Sequence, residues 1–249
     1  MPKLDRLTLR TADPARLTEF YRDILGMREL GPSHFTYSDA EMSVFFEQAQ
    51  TGDYTPAADD LYWKIAISVP DLDLAYDQLR AKGVDVPPPR QFRDVGYLTN
   101  FTDPDGFGIE LIQHGFQGET SPVPTDPSLL GGGPCLNLLT LRHHDIASVE
   151  RLCADQLGMR PLSVQPVEPY GFTLYFYAFT DEVPPDHDLT AIANRGWTYR
   201  RPYTVLEVQH VHAGHAIQHA DPSKPGYFGA NVKGVAIPSG NPLGLFGGE

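Results

Sequence analysis

Histidines are the residues whose type and spacing most directly suggest chemistry in this chain of 249 residues. Four of the nine histidines fall within ten residues, and three of them would share one helix face at i, i+3 and i+7 spacing. Imidazoles at that spacing can bind a metal ion. No HExxH pattern or cysteine pair accompanies them, so a solvated face of an outer helix is the simpler interpretation. The four are His210, His212, His215 and His219.

Other short motifs are uninformative about chemistry. His143 and His144 precede a predicted helix, where a polar turn or a capping role explains them. There is no Gly-rich phosphate loop, nucleophile elbow or Cys-His pair, so nucleotide and acyl-enzyme chemistry are not indicated. Cys135 and Cys153 form no disulfide framework, which is typical of a reducing compartment.

The elements that must position any site come from an internal duplication. The stretch from Thr8 to Leu30 returns 132 positions later, from Thr140 to Leu162, with 11 of 23 positions identical. Each copy combines an alternating strand, an Asp that can cap a helix, an amphipathic helix and a Gly that ends it. Alternating segments follow, so each copy is predicted to be a βαβββ module.

The same pattern recurs twice more. From Trp63 the sequence predicts strand, capped helix, a stop at Gly83 and a final strand after an Asp-Pro-Asp-Gly turn. A weaker fourth module is predicted from Tyr203 to the C-terminal SGNPLGLF segment, and it places His210 to His219 on its outer helix.

These motifs resemble one superfamily. The segments LTLRTAD, FYRDILGM, IAISVPDLDLAY and TDPDGFGIELI are similar to the vicinal oxygen chelate superfamily, which includes glyoxalase I, bleomycin and fosfomycin resistance proteins, and extradiol dioxygenases. The resemblance implies an α+β fold of four βαβββ modules paired into two cup-shaped, barrel-like sheets. It does not by itself imply one activity, because fold and function separate readily.

The domain boundary is predicted where Gly, Pro, Ser and Thr crowd together and periodic patterns stop. That segment, residues 115–134, would link an N-terminal two-module domain at 1–114 to a C-terminal one at 135–249, whose last module is degenerate.

The resemblance also implies where a site would lie. In metal-using members the ligands come from the first and last strands of two paired modules, and these positions correspond to Arg6, Glu47, Lys64 and Glu110. Arginine and protonated lysine have no lone pair to donate, so the usual metal site of the superfamily cannot form at these positions. No cofactor is expected. The two cations would bind a carboxylate, phosphate or enolate oxygen while one Glu acts as general base. A buried ion-pair network that only fills a cavity is the alternative.

The second half offers no ligand set at the corresponding positions, which are predicted to be Leu138, Tyr177, Thr204 and Gly244. Its aromatic residues could instead bind an aromatic or apolar ligand, although core packing is the commoner role of such side chains. The ligand-binding candidates are Phe172, Tyr177, Trp197 and Tyr203, together with Tyr97 beside the predicted cavity mouth.

Charge and composition limit the classes of molecule that this protein is expected to bind. A formal net charge of −13 and a pI near 5.0 argue against nucleic acid or an anionic membrane as a partner. No membrane span or signal peptide is predicted, so the expected location is cytoplasmic, with a homodimer among the expected assemblies. The expected partner is a small molecule.

Three functions follow from these patterns. The preferred one is a metal-independent isomerase, lyase or cyclase of specialised metabolism. The second is a non-catalytic protein that sequesters a drug or metabolite. The third is an extradiol-type dioxygenase with an unusual metal site.

Overall fold

A computed structural model describes residues 1–49, 52–213, 216–218 and 224–248 of the chain. Strands predominate, and they form two curled sheets. The strands are β1 (Lys3–Thr11), β2 (Arg28–Gly31), β3 (His34–Thr36), β4 (Ser43–Gln48), β5 (Tyr62–Val69), β6 (Arg90–Phe92), β7 (Gly96–Thr102), β8 (Gly108–Gln113), β9 (Cys135–His143), β10 (Arg160–Val167), β11 (Phe172–Ala178), β12 (Val205–Val211), β13 (Gly226–Lys233) and β14 (Leu245–Gly247).

The helices are short, and the predicted Asp caps begin three of them. They are α1 (Pro14–Glu19), α2 (Leu72–Ala81), α3 (Ile146–Glu150) and α4 (Ala193–Tyr199). Asp13, Asp71 and Asp145 each accept a hydrogen bond from a first-turn backbone N–H. Both repeat helices continue as π-helical turns and end before a glycine with positive φ, at Gly26 and Gly158. The duplicated pattern therefore sets the same local structure twice.

Each sheet combines modules from both halves of the sequence. Cup A, the six-stranded sheet, has the order β14-β13-β1-β4-β3-β2. Cup B, the eight-stranded sheet, has the order β10-β11-β12-β9-β5-β8-β7-β6. The first module thus pairs with the C-terminal strands, and the second module pairs with the third.

This pairing corrects the expected one, in which each half of the chain would form its own sheet. The antiparallel ladder of β5 with β9, which matches Ile65 with Leu139, joins residues 1–114 to residues 135–249. The limits at 1–114, 115–134 and 135–249 therefore mark the sequence repeat, and their status as domain limits stays a prediction. The spacing of hydrophobic residues and the residues of the turns identify each module. Which modules pair depends on the register between strands that are distant in sequence.

The α+β class and the two curled sheets are confirmed. The fourth module is smaller than predicted, since residues 224–248 contribute β13 and β14 and no helix. The strand placed at its start is instead β12, the last strand of the third module. His210 consequently lies on a strand and His212 follows it, rather than on an outer helix. His215 and His219 lie outside the described residues.

The largest core lies where helices cover the outer faces of the sheets. Alternate residues of β1, such as Leu7 and Leu9, pack there against Leu17, Tyr21 and other fully buried side chains. The intervening residues face the inside of cup A. A smaller core cluster lies inside cup B, around Leu138, and its side chains help to form the cavity described below.

The Asp-Pro-Asp-Gly turn connects the two sheets. Asp103 accepts hydrogen bonds from the backbone N–H groups of Asp105 and Phe107, at 2.9 and 3.0 Å, and one from the Tyr21 hydroxyl at 3.0 Å. Asp105 pairs with Arg16 of α1. The turn between β7 and β8 of cup B is thereby tied to the first module.

None of the helices in the described part of the chain is long and apolar enough to cross a membrane. The cytoplasmic location, the homodimer and the absence of a nucleic-acid partner stay predictions.

Candidate functional site

The concave face of cup B carries a buried group of charged side chains. Its four central strands each place one residue at the centre of this face, namely Lys64 on β5, Glu110 on β8, Leu138 on β9 and Glu207 on β12. All four are buried, with exposed fractions of 1 to 5%. Side chains alternate between the faces of a strand, so these four share the inner face while their neighbours pack beneath the helices.

Strand register makes these four positions symmetric. Across the antiparallel centre, Lys64 lies opposite Thr140, while Ala66 lies opposite Leu138. In the parallel pairs, Ala66 lies beside Glu110 and Thr140 lies beside Glu207. Glu110 and Glu207 are therefore equivalent, and so are Lys64 and Leu138.

The Lys64 ammonium bridges the two carboxylates. Its Nζ lies 2.7 Å from Oε1 of Glu110 and 3.4 Å from Oε2 of Glu207. Thr140 donates a hydrogen bond from Oγ1 to the same Glu207 oxygen. Asn100 of β7 hydrogen-bonds Glu110. Each carboxylate thus has a partner besides the ammonium, as a buried charge requires.

Burial and charge shift the pKa values of this group in ways that favour proton transfer. Burial raises the pKa of Glu110, and the nearby Glu207 charge raises it further, against the opposing effect of the Lys64 ammonium. Burial by itself would lower the pKa of Lys64, but the two carboxylates outweigh it, and the pKa is raised. Lys64 therefore stays an ammonium, while the raised pKa of Glu110 makes its carboxyl easier to protonate than an exposed glutamate.

A cavity of about 220 Å³ opens above this charged floor. Its walls are largely apolar and aromatic, and Tyr170, 60% exposed, stands at the mouth against Phe92. Helix α4 forms one wall with Tyr199, whose hydroxyl donates to the Val95 carbonyl at 3.1 Å. The remaining wall residues are Trp63, Val95, Leu98, Ile112, Phe172 and Leu174, with Arg90 at one side. Such a lining suits a small apolar or aromatic molecule that presents one polar group to the floor.

The four predicted catalytic residues do not converge. Lys64 and Glu110 meet in cup B, whereas Arg6 and Glu47 lie in cup A, because the second module pairs with the third and not with the first. Arg6 donates to Asn231 at 3.3 Å. Glu47 accepts a hydrogen bond from Arg10 at 2.7 Å, and Arg6 lies beside Ser43 of the same strand instead.

The predicted aromatic lining is only partly inside the cavity. Phe172 lines it. Tyr97 and Tyr177 belong to the larger core on the opposite faces of β7 and β11, and Tyr97 donates to Asp73 of α2 at 2.6 Å. Trp197 stacks on Arg201 beside another depression, and Tyr203 donates to Thr180 at 3.0 Å. These residues were candidates because they are aromatic. Side chains alternate between the two faces of a strand, and this alternation places Tyr97 and Tyr177 on the face away from the cavity.

Glu207 is the residue that sequence reasoning missed. The predicted equivalents Tyr177, Thr204 and Gly244 all resulted from assigning β12 to the fourth module. A signal was present, because LEVQH at 206–210 resembles IELIQH at 109–114, in which the Glu is Glu110. Leu138, in contrast, occupies the predicted position.

Cup A lacks the carboxylates that define the site of cup B. Thr8 corresponds to Thr140 in the repeat, and it lies beside Phe45 where Thr140 lies beside Glu207. Arg6, which corresponds to Leu138, stacks over the Phe45 ring at 5.5 Å from its centre. Cup A thus has a cation at this position, and no carboxylate of the described residues forms an ion pair with it.

Comparisons with known proteins agree with this architecture. Residues 3–111 match the model of the Glyoxalase/Bleomycin resistance protein/Dioxygenase superfamily. The match covers the first two modules of the chain. A lactoylglutathione lyase from Pseudomonas aeruginosa is 26% identical over 45% of this chain and 82% of that protein.

Solved structures share the fold. Glyoxalase I from Zea mays superposes with a TM-score of 0.62 at 18% identity, covering 94% of this chain and 74% of the maize chain. A putative dioxygenase from Bacillus subtilis superposes with a TM-score of 0.52 at 15% identity, covering 93% and 70%. Both cover nearly the whole chain, so the similarity of fold extends beyond residues 3–111.

The superfamily usually binds a divalent metal, and the residues of cup B do not fit one. Of the four central positions, two supply carboxylates, one supplies the apolar Leu138 and one supplies an ammonium that already contacts both carboxylates. Among the described residues, no group of three or more His, Cys, Asp and Glu side chains is arranged to hold a metal ion. This includes the histidines at one end of β9 and β12, where the rings of His143 and His144 stack and those of His210 and His212 meet edge to face.

Proposed function

We propose that this protein is a metal-independent enzyme that moves a proton on a small carbonyl compound, with isomerase, lyase or cyclase chemistry. The observation that carries the proposal is the buried Lys64 ammonium between Glu110 and Glu207, at the floor of an apolar cavity. A fixed cation next to a carboxyl of raised pKa provides the two functions that enolisation needs.

In the proposed step, the Glu110 carboxylate takes a proton from the carbon next to the carbonyl. The C–H electron pair moves into the new C–C double bond, and negative charge develops on the carbonyl oxygen. A Lys64 N–H donates to that oxygen and stabilises the enolate, as donors in oxyanion holes do. Glu207, held by Thr140, keeps Lys64 charged and in place while Glu110 changes protonation state.

The next step of the enolate determines the reaction class. Return of the proton from Glu110 to a different carbon gives an isomerase. Loss of a leaving group beyond the double bond gives a lyase, and attack on an electrophile of the same molecule gives a cyclase. Removal of the general base in such sites lowers rates about 10²- to 10⁴-fold.

A ligand-sequestering role is the second candidate, and the apolar walls favour it. The charged floor separates the two candidates, because a pure binder has no need for a buried, coupled Lys-Glu-Glu set, which adds little net stability. The dioxygenase alternative is disfavoured by the donor set of cup B.

Deuterium exchange tests the proposal without knowledge of the natural substrate. Chelator-treated protein is incubated in D₂O with a panel of aryl ketones, 1,3-diketones and α-hydroxy ketones, and loss of the α-proton signal is followed by NMR. We expect catalysed exchange with wild type, loss of about 10²-fold or more with Glu110→Gln, and no change with the cup A control Glu47→Gln.

Two outcomes would reject the proposal. Saturable binding of panel members without exchange would assign the sequestering role instead. Equal exchange rates for wild type and Glu110→Gln would show that the proton acceptor lies elsewhere.

A further inference from the structure

A second depression extends the cavity of cup B along the same concave face. It has a volume of about 490 Å³ and shares Trp63, Lys64 and Asn100 with the first cavity. Its far side is formed by the segment 56–58 and by Arg142 of β9. A molecule seated over Lys64 could therefore reach Arg142 without leaving the sheet.

Arg142 forms no ion pair among the described residues. Its Nε donates to Oε1 of Gln209 at 3.0 Å, and its Nη1 donates to the Ala57 carbonyl at 3.0 Å. Both acceptors are neutral. The guanidinium stacks over Trp63, with 5.1 Å from Cζ to the ring centre, and the Lys64 ammonium lies 4.8 Å from the same centre. Two cations thus adjoin one ring.

The repeat supplies an internal comparison for Arg142. Arg10 occupies the corresponding position on β1, and register places it beside Glu47, where Arg142 lies beside Gln209. Arg10 is neutralised by a salt bridge of 2.7 Å. In cup B the acid is replaced by an amide of the same shape. The carboxylates of Asp59 and Asp60 lie near enough to act on the charge of Arg142, but among the described residues neither forms an ion pair with it.

We propose that Arg142 binds an anionic oxygen group of the substrate, so that the substrate is an apolar or aromatic acid. This proposal rests on the proposed function, since it places the reacting carbonyl over Lys64 and Glu110 and the anionic group in the depression beside Trp63. A guanidinium suits this task because its planar fork can donate two parallel hydrogen bonds to a carboxylate or phosphate.

The test uses paired probes that differ only in charge. Aryl carboxylates with one to four bonds between ring and acid are compared with their carboxamides, and aryl phosphates with the parent alcohols, by isothermal titration calorimetry. We expect wild type to prefer at least one anionic member over its neutral partner by roughly tenfold or more. The two probe families distinguish carboxylate from phosphate as the bound group.

Three variants assign that preference to Arg142. Arg142→Met should abolish the preference while the neutral partner still binds. Gln209→Glu removes no atom but recreates the Arg10–Glu47 pair in cup B, so it should reduce the preference to a similar extent. Arg10→Met, the control in cup A, should leave it unchanged. Thermal melts of each variant check that folding is retained.

The proposal is overturned if wild type shows no preference for any anionic probe, or if Gln209→Glu and Arg142→Met both keep it. Failure of the proposed function is distinguishable, because in that case Glu110→Gln would leave deuterium exchange unchanged while Arg142→Met still abolished the charge preference.

Discussion

Cup A and cup B place equivalent residues around equivalent strand centres, yet they treat charge differently. Cup B buries a lysine between two glutamates, whereas cup A sets Arg6 against the ring of Phe45. Cup A neutralises its outer arginine, Arg10, with Glu47, whereas cup B leaves Arg142 beside a neutral amide. The architecture therefore supplies equivalent positions on two concave faces, and the side chains at those positions determine which face carries a buried charged group.

The largest expected effect comes from removing the cation of cup B. Lys64→Met leaves two carboxylates facing each other in a buried site, and breaking such an ion set costs about 3–5 kcal/mol of unfolding free energy. Arg6→Met in cup A should cost about 1 kcal/mol or less, since mainly a cation–π contact is lost. Urea unfolding of both variants measures the contrast, and equal losses would contradict it.

Leu138 offers the next comparison, because it is equivalent to Lys64 within cup B. Leu138→Ala should lower the free energy of unfolding by about 2–3 kcal/mol. This is toward the lower end for a buried leucine, since the side chain already borders a cavity. Because Leu138 carries no charge, the pH dependence of exchange should keep its shape. A changed acid limb in this variant would mean that Leu138 affects the charged group and not only packing.

The Asp103 turn tests the connection between the two cups. Burial raises the pKa of Asp103 to about 7, so its contribution to stability is fully present below its ordinary value of 3.8 and is lost as pH rises through about 7. Asp103→Asn mimics the protonated form, and the fall in unfolding free energy between pH 5 and pH 8 should shrink by about 1–2 kcal/mol. Denaturant titrations at both pH values measure this, with an unchanged difference as the contrary result.

Glu207 should affect the pKa of Glu110 and should not itself accept the substrate proton. Burial and then the Glu207 charge raise the pKa of Glu110, so Glu207→Gln should move the acid limb of the exchange rate to lower pH. On the acid side of the profile the exchange rate rises with pH, because Glu110 must be ionised to accept a proton. Glu47→Gln should leave the profile unmoved, and an upward shift in Glu207→Gln would reverse the assigned roles.

The local structure could be predicted from the sequence because its determinants are local. Asp13 and Asp145 cap helices, Gly26 and Gly158 end them, and the alternation of Leu7 and Leu9 places β1 on the core. These features depend on spacing within a few residues.

The site could be predicted only in part, because it depends on which strands meet. Lys64 and Glu110, which the resemblance places together, form an ion pair. Arg6 and Glu47 lie in the other sheet, because the second module pairs with the third and not with the first. Glu207 was missed because β12 was assigned to the wrong module. Register between distant strands follows from packing over the whole sheet, and short patterns do not encode it.

The central claim is that the Lys64 ammonium takes the place of a metal ion in cup B. Elemental analysis of protein purified without chelator, followed by calorimetric titration with Zn²⁺, Ni²⁺, Mn²⁺ and Fe²⁺, tests it most directly. We expect less than stoichiometric metal and no tight metal site in wild type. The double variant Lys64→His with Leu138→His would place two imidazoles beside Glu110 and Glu207, and we expect it to gain a tight site. One chelator-sensitive ion per wild-type chain, lost in both Glu110→Gln and Glu207→Gln, would contradict the claim.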